Sequence, residues 1–173
     1  MKKYHTIGIL SILTCIIIFS CSDLEDSSKE LSVRIIPVET TINIDEDFQV
    51  FINIVDVSDL FGIAVEITFD KDLIEVQDEY FTLGSIWNGL QPITYINQEA
   101  GRLNIGIVLE NIANVQSING SGNLFSLSFR GIAEGESSIS IDRLDLINKD
   151  GNPVEDFDEV KIENATIVIS DTF

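Results

Sequence analysis

Residues 62–76 read GIAVEITFDKDLIEV, and the reading of that stretch decides the fold. Ile63, Val65, Ile67 and Phe69 fall on one side of a period-two pattern, with Ala64, Glu66 and Thr68 on the other. A strand sends successive side chains to opposite faces, so this is a strand with one dry face and one wet one. Asp70, Lys71 and Asp72 interrupt the alternation with a polar turn, and Leu73, Ile74 and Val76 resume it. The strand is therefore expected to bend there and return to the core.

The same pattern recurs on either side. Leu31, Val33 and Ile35 alternate up to Pro37, a turn is expected around Asp45, Glu46 and Asp47, and Phe48, Val50, Ile52 and Ile54 form a second strand. Asp56, Ser58 and Asp59 mark the connection into the central strand. Beyond Val76, short strands and loops pass through Tyr80, Phe81 and Leu83 to Gly84 and Trp87. Residues 94–97 and 103–109 flank Gln98, Glu99, Ala100 and Gly101, a short loop with the glycine that a hairpin favours. Glu110 to Gly122 reads as a polar crossing with room for one helical turn. Phe125, Leu127 and Phe129 then alternate with Leu124, Ser126, Ser128 and Arg130, and Ser137, Ile139 and Ile141 with Ser138, Ser140 and Asp142. Leu144 to Ile147 extends that strand to a turn at Asn148–Pro153, and Ile162, Ala165, Ile167 and Ile169 close the sheet. About nine strands with turn signals between them, and no long segment of helical period, predict an all-β, nine-stranded jelly-roll sandwich.

The N-terminus carries a different signal. Lys2 and Lys3 precede an apolar run from Ile7 to Phe19, the pattern of a secretory leader, too short for a comfortable membrane span. It ends in Ile18, Phe19, Ser20 and Cys21, which resembles the lipobox of bacterial lipoproteins, where the cysteine is lipidated and becomes the mature N-terminus. Cleavage nearby without lipid, as in an ordinary secreted protein, is the alternative. Residues 1–20 are thus expected to be a signal peptide, 21–30 a tether and 31–173 the folded domain. The polar tether, SDLEDSSKE after Cys21, suits a flexible spacer. Its acidic cluster also resembles the surface-export signal of Bacteroidota lipoproteins, which would place the protein at the cell envelope, on the outer membrane. With Cys15 lost and Cys21 capped, cysteine chemistry is excluded from the mature chain.

Composition narrows the partners. Asp and Glu number 29 against 10 Lys and Arg, a net charge of −19, which repels phosphate backbones and anionic headgroups. Nucleic acid is not expected as a partner, nor a membrane beyond the anchor. His5, the one histidine, lies in the leader, so neither a Ser-His-Asp mechanism nor a histidine metal site is available. No carboxylate pair sits in a recognisable glycosidase motif. No catalytic residue, metal or cofactor is therefore expected. Asn148, Asp150, Gly151, Asn152, Glu155 and Asp156 superficially resemble an EF-hand loop, but its first and twelfth positions would be Leu146 and Phe157, which cannot ligate. A hairpin turn accounts for the segment better. Trp87 and Tyr95 offer aromatic faces for sugar stacking, although a tryptophan beside Asn88-Gly89 also reads as a plug. Asn119-Gly120-Ser121 is a formal sequon that reads as a turn.

Taken together, a first strand ending near Pro37, Asp59-Leu60 and Gly62 before GIAVEITFDKDLIEV, Gly84 after it, Gly101 before LNIGIVL, then GNLFSLSFRG, Gly135 and DLINKDGNPV, the chain resembles a cohesin domain. Cohesins are jelly-roll receptor modules that grip a dockerin on a cellulosomal enzyme, and related jelly rolls include carbohydrate-binding modules. The resemblance implies a non-catalytic module whose partner is a dockerin-like protein or, alternatively, a polysaccharide. In cohesins the dockerin lies across one sheet, and the outward positions matching that contact here are Glu66, Thr68, Asn104, Val108, Ser138 and Ser140. Well-known cellulosomal cohesins place an Asn and an Asp at the start of the central strand, where this chain has Gly62 and Ala64. That departure bears on recognition of a standard dockerin and leaves the fold untouched.

Overall fold

The structure, a computed structural model, describes residues 30–110 and 116–171. The expected signal peptide, Cys21 and residues 22–29 of the expected tether lie outside the described residues.

Among the described residues eleven strands are formed: β1 Ser32–Ile36, β2 Glu39–Asn43, β3 Asp47–Leu60, β4 Gly62–Thr68, β5 Ile74–Leu83, β6 Ile93–Glu99, β7 Arg102–Val108, β8 Ile118–Gly131, β9 Gly135–Ile147, β10 Lys161–Glu163 and β11 Ala165–Ser170. They make a five-stranded sheet in the order β10-β1-β3-β8-β5 and a six-stranded sheet in the order β2-β11-β9-β4-β7-β6. The all-β sandwich is as expected, but two strands beyond the expected nine appear. Both are weak in apolar pattern: β2 buries only Ile42, and β10 buries nothing. They are held as parallel edge partners of β11 and β1 rather than by their own alternation. Ile162 and Ala165 consequently belong to different sheets.

The inner faces of the two sheets share one core containing Ile52, Ile54, Ile67, Ile105, Phe125 and Phe129, all with almost no exposure. Phe129 anchors its centre, stacked with Phe48 at 5.6 Å and edge-on to Phe69 at 5.2 Å. Each side chain of this size contributes about 1.5–3 kcal/mol on full burial, which is how a chain with few polar cross-links stays folded.

Four local readings are corrected by the structure. The polar turn at Asp70–Asp72 carries the chain from one sheet to the other, since β4 lies in the six-stranded sheet and β5 in the five-stranded one. Asp70 builds the turn, its carboxylate accepting from the Asp72 amide at 2.9 Å and its carbonyl from the amides of Leu73 and Ile74. Second, Leu124 is fully buried instead of facing out. A register shift between Ile52 and Asn53 leaves it without a partner on β3, and its freed carbonyl accepts from the Gly84 amide and the Trp87 indole. Third, the polar stretch ending at Gly122 is strand from Ile118 onward, while residues 111–115 lie outside the described residues. Fourth, Asp56, Ser58 and Asp59 are part of β3, where Asp56 and Asp59 adopt left-handed φ values of 54° and 59°. Ser121 Oγ and Asn119 Oδ1 accept from their amides at 2.9 Å each, so the sequon residues mend an irregular ladder and do not turn the chain.

Candidate functional site

β4 sits at the centre of the six-stranded sheet, hydrogen-bonded to β7 on one side and β9 on the other. Its registers place outward residues in rows that cross four strands. One row runs Ile147, Gly62, Val108, Ile93; the next Asp145, Ala64, Gly106, Tyr95; the third Arg143, Glu66, Asn104, Asn97; the fourth Ser140, Thr68, Arg102, Glu99. The inward neighbours Ile63, Val65, Ile67, Leu103, Ile105 and Ile107 are all buried, which fixes the outward set by alternation.

The structure brings Glu66, Thr68, Asn104, Val108 and Ser140 onto this one surface, with Ser138 next along β9 and its hydroxyl 2.8 Å from that of Ser140. It also adds residues outside the expected contact set: Ala64 and Gly106, which alternation already turns outward, and Ile93, Arg143, Asp145 and Ile147, which it did not single out. The β9 members were hidden by a register shift between Glu66 and Ile67. One extra residue, Asp142, switches the buried set from Ser137, Ile139 and Ile141 to Leu144 and Leu146. The order of apolar residues along β9 carries that switch, whereas pairing across strands lies beyond a single-strand pattern.

The face divides chemically into two ends. Toward Gly62 it is apolar, with a depression of about 190 Å³ lined by Ala64, Gly106, Val108, Ile147, Ile93 and Tyr95, the last two being 55% and 68% exposed. Toward Thr68 it is polar and charged. Arg102 lies 3.5 Å from Glu66, Arg143 donates to Asp145 at 2.9 Å, and Asn97 donates to Glu99 at 3.3 Å. A second depression of about 220 Å³ over Ala64, Glu66, Asn104 and Arg143 joins the two ends. No deep enclosed cleft of the kind that surrounds a small substrate is formed here; the surface is broad and shallow.

Trp87 does not serve as a stacking platform. It is 1% exposed in a turn of 3₁₀ helix, Ser85–Trp87, with its indole nitrogen donating to the Leu124 carbonyl at 2.8 Å. The apolar ring is worth more in the core than in water, and the bulged carbonyl satisfies its one polar atom. Tyr95 stands alone as the exposed aromatic of the rows above.

The opposite sheet shows a contrasting surface. Its wide depression, about 750 Å³, is lined by Asp47, Gln49, Glu75, Gln77, Ser128 and Arg130, among others. Arg130 forks onto Asp47 at 2.6 and 3.1 Å, and this hydrogen bond holds the Asp47 carboxyl below its ordinary pKa. The Asn148 side chain is turned into its own loop, accepting from the amides of Asp150 and Asn152 at 3.0 Å each, as a hairpin turn requires. Among the described residues no group of three or more His, Cys, Asp or Glu is placed to hold a metal ion.

No protein-family model matches the sequence, and no curated protein matches it. Solved structures do match. A non-cellulosomal cohesin from the archaeon Archaeoglobus fulgidus superposes with a TM-score of 0.64 at 20% identity, over 82% of this chain and 91% of that one. The cohesin of a type I cohesin-dockerin complex, Coh-OlpA with Doc918 from Clostridium thermocellum, gives 0.67 at 15% identity, over 82% and 100%. A type II cohesin from the cellulosome of Acetivibrio cellulolyticus gives 0.65 at 19% identity, over 80% and 95%. These span type I and type II cohesins and cover nearly the whole of each relative, so the agreement concerns the complete sandwich. The chain has the cohesin fold.

Proposed function

We propose that this chain is a non-catalytic protein-binding module that receives a folded partner on the outer face of its six-stranded sheet. The observation that carries the reading is the contiguous surface of β9, β4, β7 and β6, apolar at one end and hydrogen-bonding at the other, on a sheet of cohesin topology. A broad mixed face of this kind suits another protein better than a small molecule. Several of the similar cohesins were solved with a dockerin bound, which supports a dockerin-like partner for this chain, one borne by a polysaccharide-degrading enzyme. Gly62 and Ala64, where well-known cohesins have Asn and Asp, point to a partner surface less polar at that end than a standard dockerin's. In the same reading the leader and Cys21 tether the module by lipid to the outer membrane.

Direct glycan binding is the second reading, and Tyr95 is the observation that favours it. With Trp87 buried, it rests on one aromatic ring, whereas sugar platforms gain from several.

The test is a pull-down from the organism's secreted proteins with the chain from Ser22 onward, which keeps every described residue, alongside a glycan array on the same preparation. A specific protein captured by the native chain and released by Thr68→Arg and by Asn104→Arg supports the reading. Saturable glycan binding lost on Tyr95→Ala, with no protein partner, overturns it.

A further inference from the structure

Gly106 lies in the middle of β7, where a glycine weakens a strand by its backbone freedom and its lack of a side chain to pack. The usual reasons for a glycine do not apply. Its φ lies outside the left-handed region, and a Cβ built on it meets nothing closer than the Tyr95 Cβ at 4.0 Å. Gly62 in the neighbouring row is different: a Cβ there would press on Ile147 and Val108 at 3.2 Å and on the Ile107 carbonyl at 3.3 Å. Packing within the chain explains Gly62 and leaves Gly106 unexplained. A glycine in a strand with no internal cause marks a place where something from outside comes close.

What comes close is constrained by the walls. Ala64 and Gly106 floor the depression, and Val108, Ile93, Ile147 and Tyr95 surround it. The carboxylate at its edge, Asp145, is taken up by Arg143, and Glu66 by Arg102, so the rim offers a visitor no unpaired charge. A sugar would find little there to pair its hydroxyls. The volume of about 190 Å³ suits one side chain, since an apolar cavity of about 150 Å³ accommodates benzene. An acyl chain would outrun it. We infer that the trough over Gly106 is the seat of a single aliphatic or aromatic side chain of the docked partner, and that Gly106 is a specificity-determining residue. This rests on the protein-docking reading of the same face. A buried anchor of that sort would dominate affinity, with the polar end setting register.

The experiment maps amide chemical shifts of the chain from Ser22 while adding N-acetyl-leucine amide, N-acetyl-phenylalanine amide or cellobiose. The expected result is saturable shifts at Ala64, Tyr95, Gly106 and Val108 with the two amino-acid amides and none with cellobiose. Gly106→Val, which adds a good strand former in open space, should leave the Tm unchanged or raised while weakening those fragments about tenfold or more. Absent shifts, shifts that survive Gly106→Val, shifts elicited by cellobiose instead, or a Tm lowered by the substitution would each overturn the inference. So would a dimer of the native chain in sedimentation that Gly106→Val dissolves, since the trough would then belong to a second copy. A captured protein released by Thr68→Arg but held by Gly106→Val overturns the anchor alone. Failure of any protein to respond to Thr68→Arg strikes the docking reading itself.

Discussion

The outer faces of the two sheets are built on the same rule and end up with different chemistry at their centres. Each sheet buries its inward alternate residues against the other, so their inner faces are interchangeable in character. Outward, the five-stranded sheet presents at one end Asp47, Gln49, Ser128 and Arg130, held by the Arg130 fork and by Gln49 Nε2 donating to the buried Ser126 at 3.3 Å, beside an exposed apolar pair, Ile36 and Phe51. Outward, the centre of the six-stranded sheet presents Ala64, Gly106, Val108, Ile93 and Tyr95, which find little to do within the chain. Side chains that pair locally need no partner, whereas an apolar set left in water is the kind of surface that a partner covers. The difference teaches where to look for function in a sandwich: among the outward residues that the fold itself does not use.

The largest expected effect is one that breaks both faces alike. Trp87→Ala removes a fully buried ring that also ties up the Leu124 carbonyl, and should cost about 3–5 kcal/mol in urea unfolding. Loss of that magnitude with any change in partner binding following only the folded fraction would confirm that Trp87 is a core residue. Next comes the contrast between faces. Thr68→Arg should weaken a docked protein by about 2 kcal/mol, roughly thirtyfold, while Gln49→Arg on the other sheet leaves it within twofold, measured by calorimetric titration. Equal losses from both would dissolve the distinction.

Smaller still, Gly106→Val should stabilise the free chain by about 0.5–1 kcal/mol, the usual burden of a mid-strand glycine, in chemical unfolding. A destabilised variant would mean that the fold itself uses the glycine. The smallest effect concerns Asp47. Arg130 holds its carboxyl below the ordinary carboxylate pKa, so folding binds fewer protons there than the unfolded chain does. The contribution is therefore present above the ordinary pKa of about 3.9 and disappears as pH falls through the lowered folded value. Asp47→Asn should unfold slightly earlier than the native chain at pH 6 and indistinguishably from it in strong acid, with the gap at pH 6 shrinking in high salt. An unchanged gap in strong acid would show that the fork works by shape and not by charge.

How much of this was legible in the sequence varies by element. The hairpin of β6 and β7 was plain, because Leu103, Ile105 and Ile107 alternate cleanly, but Gln98 and Glu99, expected in its loop, are paired strand, and Gly101, at φ 76°, turns the chain in two residues. The sandwich itself followed from repeated alternation of that kind. Leu124 was misread because a bulge breaks the period that the reading depends on, and β2 and β10 were missed because an edge strand held by backbone hydrogen bonds needs no apolar pattern. At the site, alternation plus resemblance put Glu66, Thr68, Asn104, Val108, Ser138 and Ser140 on one face, and the strand registers bring them together there. The trough was not, since it exists only where Ala64 on β4, Gly106 on β7, Tyr95 on β6 and Ile147 on β9 stand side by side.

Hydrophobicity read along a period of two was enough for the class of fold and for the inward half of the strands that run without a bulge, because burial acts on each residue separately, and the lone histidine, His5, lies outside residues 31–173. Only the tertiary structure decided which strands are neighbours, that Trp87 is shut inside, and that Gly106 opens a seat beside Tyr95. Register is a property of pairs of strands far apart in the chain, set by the joint packing of two sheets and their bulges. No single strand carries that information in its own alternation.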